Sequence, residues 1–286
     1  MIVLIEGPDG AGKTILAKKL VDRFGLEYRH EGPPPKHVEP LYHYGTLLDS
    51  FRGRNVVFDR FALGERVYGP VLRGKDRLGV LGWQIFQRLV KATGAFQVLC
   101  LTDYETCEAI WSSGRPELFK DVKKFRASYE LFVDLEDTQD FVYDFQLTSD
   151  DELFEYLSLP RKTLPAGMVG SPKARVLFVG DRGADPTAPF DLPFFATVNS
   201  SAYLSTAIAM AGLEEDEIAF INAYNHRRDP YRLPQLPVVV ALGETAAGEC
   251  ESQGLKFKRV PHPQYWRRFH HHDLLGYAGK IKEACS

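Results

Sequence analysis

The 286-residue sequence predicts an α/β protein built as two successive sheet-and-helix domains. Three observations predict it. Short apolar runs alternate with amphipathic stretches in both halves. A strand starts at residue 2 and a fresh one starts near residue 175. Between them, segment 160–173 carries Pro160, Pro165, Pro172, Gly167 and Gly170 with no apolar period, so it reads as a linker. The expected domains are therefore 1–159 and 174–286.

In the first domain the apolar runs predict strands over Ile2–Ile5, Asn55–Phe58 and Phe96–Leu101, and a weaker one over Phe141–Phe145. Amphipathic stretches predict helices over 14–24, 78–93, 104–112 and 119–135. Near-continuous apolar strands alternating with helices imply a parallel sheet with helices on both faces. In the second domain the same alternation predicts strands at 175–179, 218–221 and 236–241. It predicts helices at 201–212, 244–253 and 273–284.

A hydrophobic fraction of 44%, with 12% aromatic, excludes a wholly disordered or fibrous chain. Net charge is −3, from 35 basic and 38 acidic residues, which excludes an indiscriminate basic DNA coat. Locally the balance differs. Between Leu255 and Lys282 stand Lys256, Lys258, Arg259, Arg267, Arg268, Lys280 and Lys282 against the single acid Asp273. Phe257, Tyr265, Trp266 and Phe269 are interleaved with them, a pattern suited to DNA, with Arg267 and Arg268 as contacts. Cys100, Cys107, Cys250 and Cys285 form no CxxC and read as reduced thiols. No apolar run approaches the roughly 20 residues of a membrane span, and Met1–Ile5 lacks a basic leader, so a cytoplasmic location is expected. His270, His271 and His272 are adjacent, point in different directions on any regular element, and make no zinc set.

Gly7-Pro8-Asp9-Gly10-Ala11-Gly12-Lys13-Thr14 fits GxxxxGK[ST] at every fixed position, between an apolar strand and a helical run. Glycines let backbone N–H groups turn inward around phosphate oxygens, and the following helix adds its N-terminal dipole. Lys13 is expected to reach the β- and γ-phosphates of ATP and Thr14 to ligate Mg²⁺. The second strand candidate ends in Asp59-Arg60, at the carboxyl edge where such sheets bind ligands. Asp59 there can hold Mg²⁺ or accept a proton from an attacking hydroxyl, and Arg60 can clamp a phosphate.

Ile5 to Thr14, then Glu31-Gly32, then Asp59-Arg60-Phe61, resemble the thymidylate kinase family over roughly residues 1–155. The resemblance implies that Asp9 and Arg60 contact the acceptor, with Glu31 facing it and Gly64–Pro70, including Arg66 and Tyr68, lining a base pocket. It also implies a lid at 113–117 whose Arg115 stabilises the transferring phosphoryl. In the second half, Val176–Asp181, Pro237–Ala247 and Val260-Pro261-His262-Pro263 are similar in order and spacing to the uracil-DNA glycosylase superfamily. That similarity implies a water-activating role for Asp181 or Asp185 and a base- or DNA-contacting role for His262. A kinase joined to such a module is most similar to phage 5-hydroxymethyluracil DNA kinases. The expected activity is ATP-dependent phosphorylation of a 5-hydroxymethyl group on a base flipped out of DNA, with Asp59 as first candidate for general base and Asp9 or Glu31 next. The alternative is a kinase for free dTMP or a modified deoxypyrimidine monophosphate.

Overall fold

The structure is a computed structural model and describes residues 1–113, 120–182, 192–224, 232–270 and 272–286. The chain forms two compact units, one of Met1–Gly79 with Gly94–Arg161, the other of Val80–Thr93 with Lys162–Ser286.

The first unit runs β1 (Ile2–Glu6), α1 (Lys13–Phe24), β2 (Glu27–His30), α2 (Pro40–Ser50), β3 (Val56–Asp59) and α3 (Leu63–Arg73). After the helix α4 (Gly79–Thr93), it resumes with β4 (Phe96–Cys100), α5 (Tyr104–Ser112), α6 (Val122–Asp134), β5 (Phe141–Tyr143) and α7 (Asp150–Leu157). Its sheet has the order β2-β3-β1-β4-β5, and every pairing is parallel. Val3, Ile5, Val57 and Val98 pack under α1 with Leu16 and Leu20, while Leu4 and Phe58 sit side by side in register. From Phe58 an aromatic chain runs to Phe61 (4.7 Å) and on to Tyr44 (5.1 Å). Burial of β1, β3 and β4 on both faces explains why they were legible as apolar runs.

Four elements of this unit's sheet-and-helix order lie outside the sequence expectation. β2 reads Glu-Tyr-Arg-His and is exposed throughout, because it is the sheet's edge and needs no apolar face. α2 starts at Pro40, capped by Glu39, whose carboxylate accepts from the Tyr42 N–H at 2.7 Å. α3 holds Gly64, Gly69 and Pro70, poor helix formers that conceal it. α7 carries Asp150, Asp151 and Glu152 in its first turn after the Ser149 cap, which suits the helix dipole.

The second unit takes α4 and then β6 (Met168–Gly170), β7 (Val176–Arg182), α8 (Asn199–Met210), β8 (Ile218–Tyr224) and β9 (Val238–Leu242). It closes with α9 (Glu244–Ser252), β10 (Lys258–Val260), α10 (Pro263–Phe269) and α11 (Leu274–Cys285). Its sheet has the order β10-β9-β7-β8-β6, parallel except that β6 runs antiparallel to β8. The segment expected to be a bare linker thus contains a strand, three residues long and masked in sequence by Pro165, Gly167, Gly170 and Pro172. α4 is held in this unit by Arg88, which is almost fully buried. Its guanidinium forks onto both Glu215 carboxylate oxygens (2.7 and 2.9 Å), donates to the Ser205 hydroxyl (3.0 Å) and lies 4.7 Å over the Phe220 ring. Among the described residues no helix is long and apolar enough to cross a membrane.

Candidate active site

The loop between β1 and α1 is shaped by its glycines. Gly7, Gly10 and Gly12 all have positive φ (142°, 87° and 79°). A Cβ on Gly7 would overlap the Cys100 carbonyl oxygen, and one on Gly10 the Cys107 carbonyl oxygen, so the loop lies directly on the backbones behind it. Lys13 is buried inside this loop, donating to the carbonyls of Gly7 (2.8 Å) and Pro8 (2.6 Å), with Asp9 Oδ1 at 3.8 Å. Desolvation, joined by the Arg60 charge, lowers its ammonium pKa, while Asp9 acts against the shift.

Asp59 ends β3 fully buried. Its Oδ2 accepts from the Thr14 hydroxyl (2.7 Å) and the Tyr28 hydroxyl (2.9 Å), and His30 Nδ1 stands 3.6 Å away. β2 pairs with β3 in a register that puts Tyr28 beside Val57 and His30 beside Asp59, which delivers both side chains to the site. Asp59 Oδ1 is buried without a hydrogen-bond partner. An orphaned carboxylate oxygen beside a threonine hydroxyl fits Mg²⁺, a hard cation that takes one or two protein oxygens and completes its shell with phosphate and water. Among the described residues no cluster of three His, Cys, Asp or Glu side chains offers another metal cage.

Arg60 follows in the left-handed region (φ 76°), an uncommon conformation for a non-glycine residue. The surroundings over-determine it: Arg60 N–H donates to the Ile5 carbonyl (2.9 Å), and its guanidinium donates to Asp9 Oδ1 (2.6 Å). Glu6 Oε1 accepts from the Phe61 N–H (2.8 Å) and the Gly64 N–H (3.2 Å), pinning the start of α3. Burial pushes the Glu6 carboxyl up to about 7, against the downward pull of those N–H bonds and of Lys13 and Arg60.

Two cavities meet at these residues. One, of about 430 Å³, is lined by Glu6, Glu31, Tyr44, Arg60, Glu65 and Tyr68 among others. The other, of about 310 Å³, is lined by Gly12, Lys13, Thr14, Ile15, Ile110 and Phe145 among others, and Arg60 borders both. The structure thus brings Glu31, Arg60 and Tyr68 to the first cavity, and Asp9, Gly10, Gly12, Lys13 and Thr14 to the second. It does not bring Arg66 there: on α3 the cavity face is Gly64, Glu65, Tyr68 and Leu72, and Arg66 Nε instead pairs with Asp76 Oδ2 at 3.3 Å. Arg115 lies outside the described residues. Sequence reading missed Glu6, Tyr28, His30, Tyr44 and the pairing of buried Glu65 with half-buried Arg73 (2.7 Å). Glu6, a charged residue closing an otherwise apolar strand, was the one signal available.

The second sheet presents a different edge. Gly180-Asp181 lies near the end of β7, as Asn222 does in β8; Gly243 follows β9, and His262 caps α10 after β10. The missing side chain at Gly180 admits the Phe194 ring and the Asn222 amide; a Cβ there would meet them at 2.7 and 3.1 Å. Phe194 is left-handed (φ 52°), and its ring centroid stands 6.3 Å from that of His262. Burial lowers the His262 pKa, opposed by the Asp181 charge, and Asp181 Oδ1 is itself buried without a hydrogen-bond partner. Asp185 lies outside the described residues. On α10 the Tyr265 and Phe269 rings are exposed and 4.8 Å apart. Arg268 is exposed, whereas Arg267 donates to Asn199 Oδ1 at 3.3 Å.

Strand, glycine loop, Lys13-Thr14 and helix make the first unit a P-loop α/β domain. No protein-family model matches the chain, and no curated protein sequence matches it. Among solved structures, the YorR protein of Bacillus subtilis in complex with phosphorylated GDP is similar at 20% identity, over 55% of this chain and 93% of its own, with a TM-score of 0.46. Deoxyadenosine kinase from M. mycoides with bound dATP is similar at 15% identity over 55% of this chain and 97% of its own, TM-score 0.35. The same enzyme with dCMP and dCDP gives 15%, 55% and 96%, TM-score 0.36.

Proposed function

We propose that the chain is a kinase that moves the γ-phosphoryl of ATP to the 5-hydroxymethyl group of 5-hydroxymethyluracil in DNA. The observation that carries the kinase reading is the pair of cavities meeting at Arg60 across the P-loop, one for a donor and one for an acceptor. The donor's phosphates lie on Gly7–Thr14, with Lys13 against the β- and γ-phosphates. Thr14 and Asp59 would hold Mg²⁺, which would supply positive charge against the phosphates. The acceptor oxygen attacks in line; its bond to the γ-phosphorus forms as the bond to the β–γ bridging oxygen breaks, and ADP leaves. A neutral hydroxyl must also lose its proton. Glu31, a carboxylate on the acceptor cavity, is placed to take it, whereas Asp59, expected as the first candidate, is fully buried, lines neither cavity and is left to the metal. Arg60, locked by Asp9 in a strained conformation between the cavities, aligns the transferring group.

The second unit supplies the reason to place the acceptor in DNA. Phe194 offers a stacking face, Asn222 an amide for a base edge, and His262 and Asp181 polar groups beside them. Arg268 and the Tyr265–Phe269 pair add a cationic and aromatic rim. The alternative, a free deoxypyrimidine monophosphate, is favoured by the 430 Å³ volume of the acceptor cavity and its aromatic residues Tyr44, Phe61 and Tyr68, room enough for a whole nucleotide. γ-Labelled ATP, offered with hydroxymethyluracil duplex, ordinary duplex, dTMP and hydroxymethyl-dUMP in turn, separates the readings. Label is expected in the modified duplex alone; label only in the free nucleotides would sink the DNA reading.

A further inference from the structure

A concavity of about 250 Å³ between β10 and α11 is lined by Lys258, Arg259, Lys280 and Glu283, with Val260, Pro261 and Ala284 as its floor. Its charge is lopsided: the ammonium groups of Lys258 and Lys280 stand against the single carboxylate of Glu283. Lys258 and Lys280 are both exposed, and neither enters an ion pair among the described residues. Lys258 Nζ donates to the Glu283 backbone carbonyl at 3.3 Å, and Lys280 Nζ stands 5.3 Å over the Trp266 ring. Both contacts fix the direction of an ammonium group without neutralising it. Arg259 pairs with Glu244 at 2.5 Å outside the cleft, as the alternation of side chains along β10 requires.

From this geometry we infer that the β10–α11 cleft is a phosphate-binding site, holding phosphate groups between Lys258 and Lys280. Two ammonium donors on two rigid elements can grip one phosphate from both sides, and a strand and a helix hold their spacing better than a loop would. The cleft's chemistry stands independently of the kinase reading. Phosphate can reach it as a nucleic-acid backbone or as a free polyphosphate. Both sources are testable with the full chain carrying Lys258→Gln together with Lys280→Gln, two exposed positions whose change leaves the core intact.

Duplex-DNA affinity is measured against salt concentration, and sodium tripolyphosphate binding by calorimetry. If backbone phosphates occupy the cleft, the slope of log affinity against log salt falls by about 2 in the double variant. If a free polyphosphate occupies it, the DNA slope is unchanged and tripolyphosphate binding is lost. Unchanged DNA slope and unchanged tripolyphosphate binding would overturn the site, and retained thermal stability of the variant ensures that either result refers to folded protein.

Discussion

The carboxyl edges of the two sheets use the same architecture for different ends. At the first, backbone is the main instrument: glycines with positive φ wrap a loop around buried Lys13, and Asp9, Asp59 and Glu6 are sunk beside it. At the second, side chains do the work: Phe194, Asn222, Asp181 and His262 converge where Gly180 makes room. Both edges hold left-handed non-glycine residues, Arg60 in the first and Phe194 and Asn199 in the second. The difference teaches where cost is stored. The first edge carries buried charge of both signs. Lys13 and Arg60 suit phosphate oxygens there, and Asp59 suits a cation bound with them; the second edge carries an aromatic ring and an amide, which suit a neutral planar ligand.

The comparison breaks most sharply at Lys13. Lys13→Ala is expected to lower phosphoryl transfer by at least 10²–10³-fold, about the cost of one charge-stabilising donor, while leaving DNA affinity unchanged. Steady-state transfer and a DNA-binding isotherm measured on one preparation check both halves. Retained turnover would remove the phosphate loop from the mechanism.

Glu6 gives a stability test confined to the first edge. Its carboxyl rises from an ordinary 4.5 to about 7 on burial, so between those values the folded chain holds more proton than the unfolded one. Its contribution is therefore full below pH 4.5 and is lost as pH rises through 7, a change of about 3 kcal/mol. Glu6→Gln keeps an oxygen for the Phe61 and Gly64 N–H groups and is expected to remove that loss. Denaturant midpoints at pH 5 and pH 8 for both proteins would show it; parallel pH dependence would contradict it.

At the second edge, Phe194→Gly relieves a left-handed ring residue while deleting a stacking face. Base or DNA binding is expected to weaken by about 1–3 kcal/mol, with little loss of thermal stability and no change in ATP affinity. Smallest of all is the rim. Arg268→Ala is expected to reduce the salt slope of DNA binding by about 1, and Arg267→Ala by less, because Arg267 is shared with Asn199. Equal effects from the two would show that the Asn199 contact does not hold Arg267 back.

Legibility in the sequence followed locality. The phosphate loop was readable because its eight residues are contiguous and its glycines have no substitute. Asp59-Arg60 was readable because an apolar strand ended in charge. The acceptor cavity was only half visible: it draws on β2, α2 and α3, an exposed edge strand and two helices rich in Gly and Pro or short of apolar period. Within the expected stretch Gly64–Pro70, Gly64, Glu65 and Tyr68 line the cavity while Arg66 turns away to Asp76, because each helical residue rotates the side-chain direction by about 100°. Phe194 left no trace in sequence, because nothing local marks an aromatic forced to positive φ. Asn222 did leave one, as a lone amide in the apolar strand Ile218–Tyr224.

The central proposal is that the first unit transfers phosphoryl and the second unit binds the DNA that carries the acceptor. It is tested most directly by transfer of labelled γ-phosphoryl to hydroxymethyluracil duplex, with kcat and KM resolved for the wild type and for Phe194→Gly. The account expects labelled DNA from both, with KM raised roughly 5- to 150-fold in the variant, the kinetic counterpart of about 1–3 kcal/mol, and kcat retained. No label in DNA, or a KM indifferent to Phe194, would contradict it.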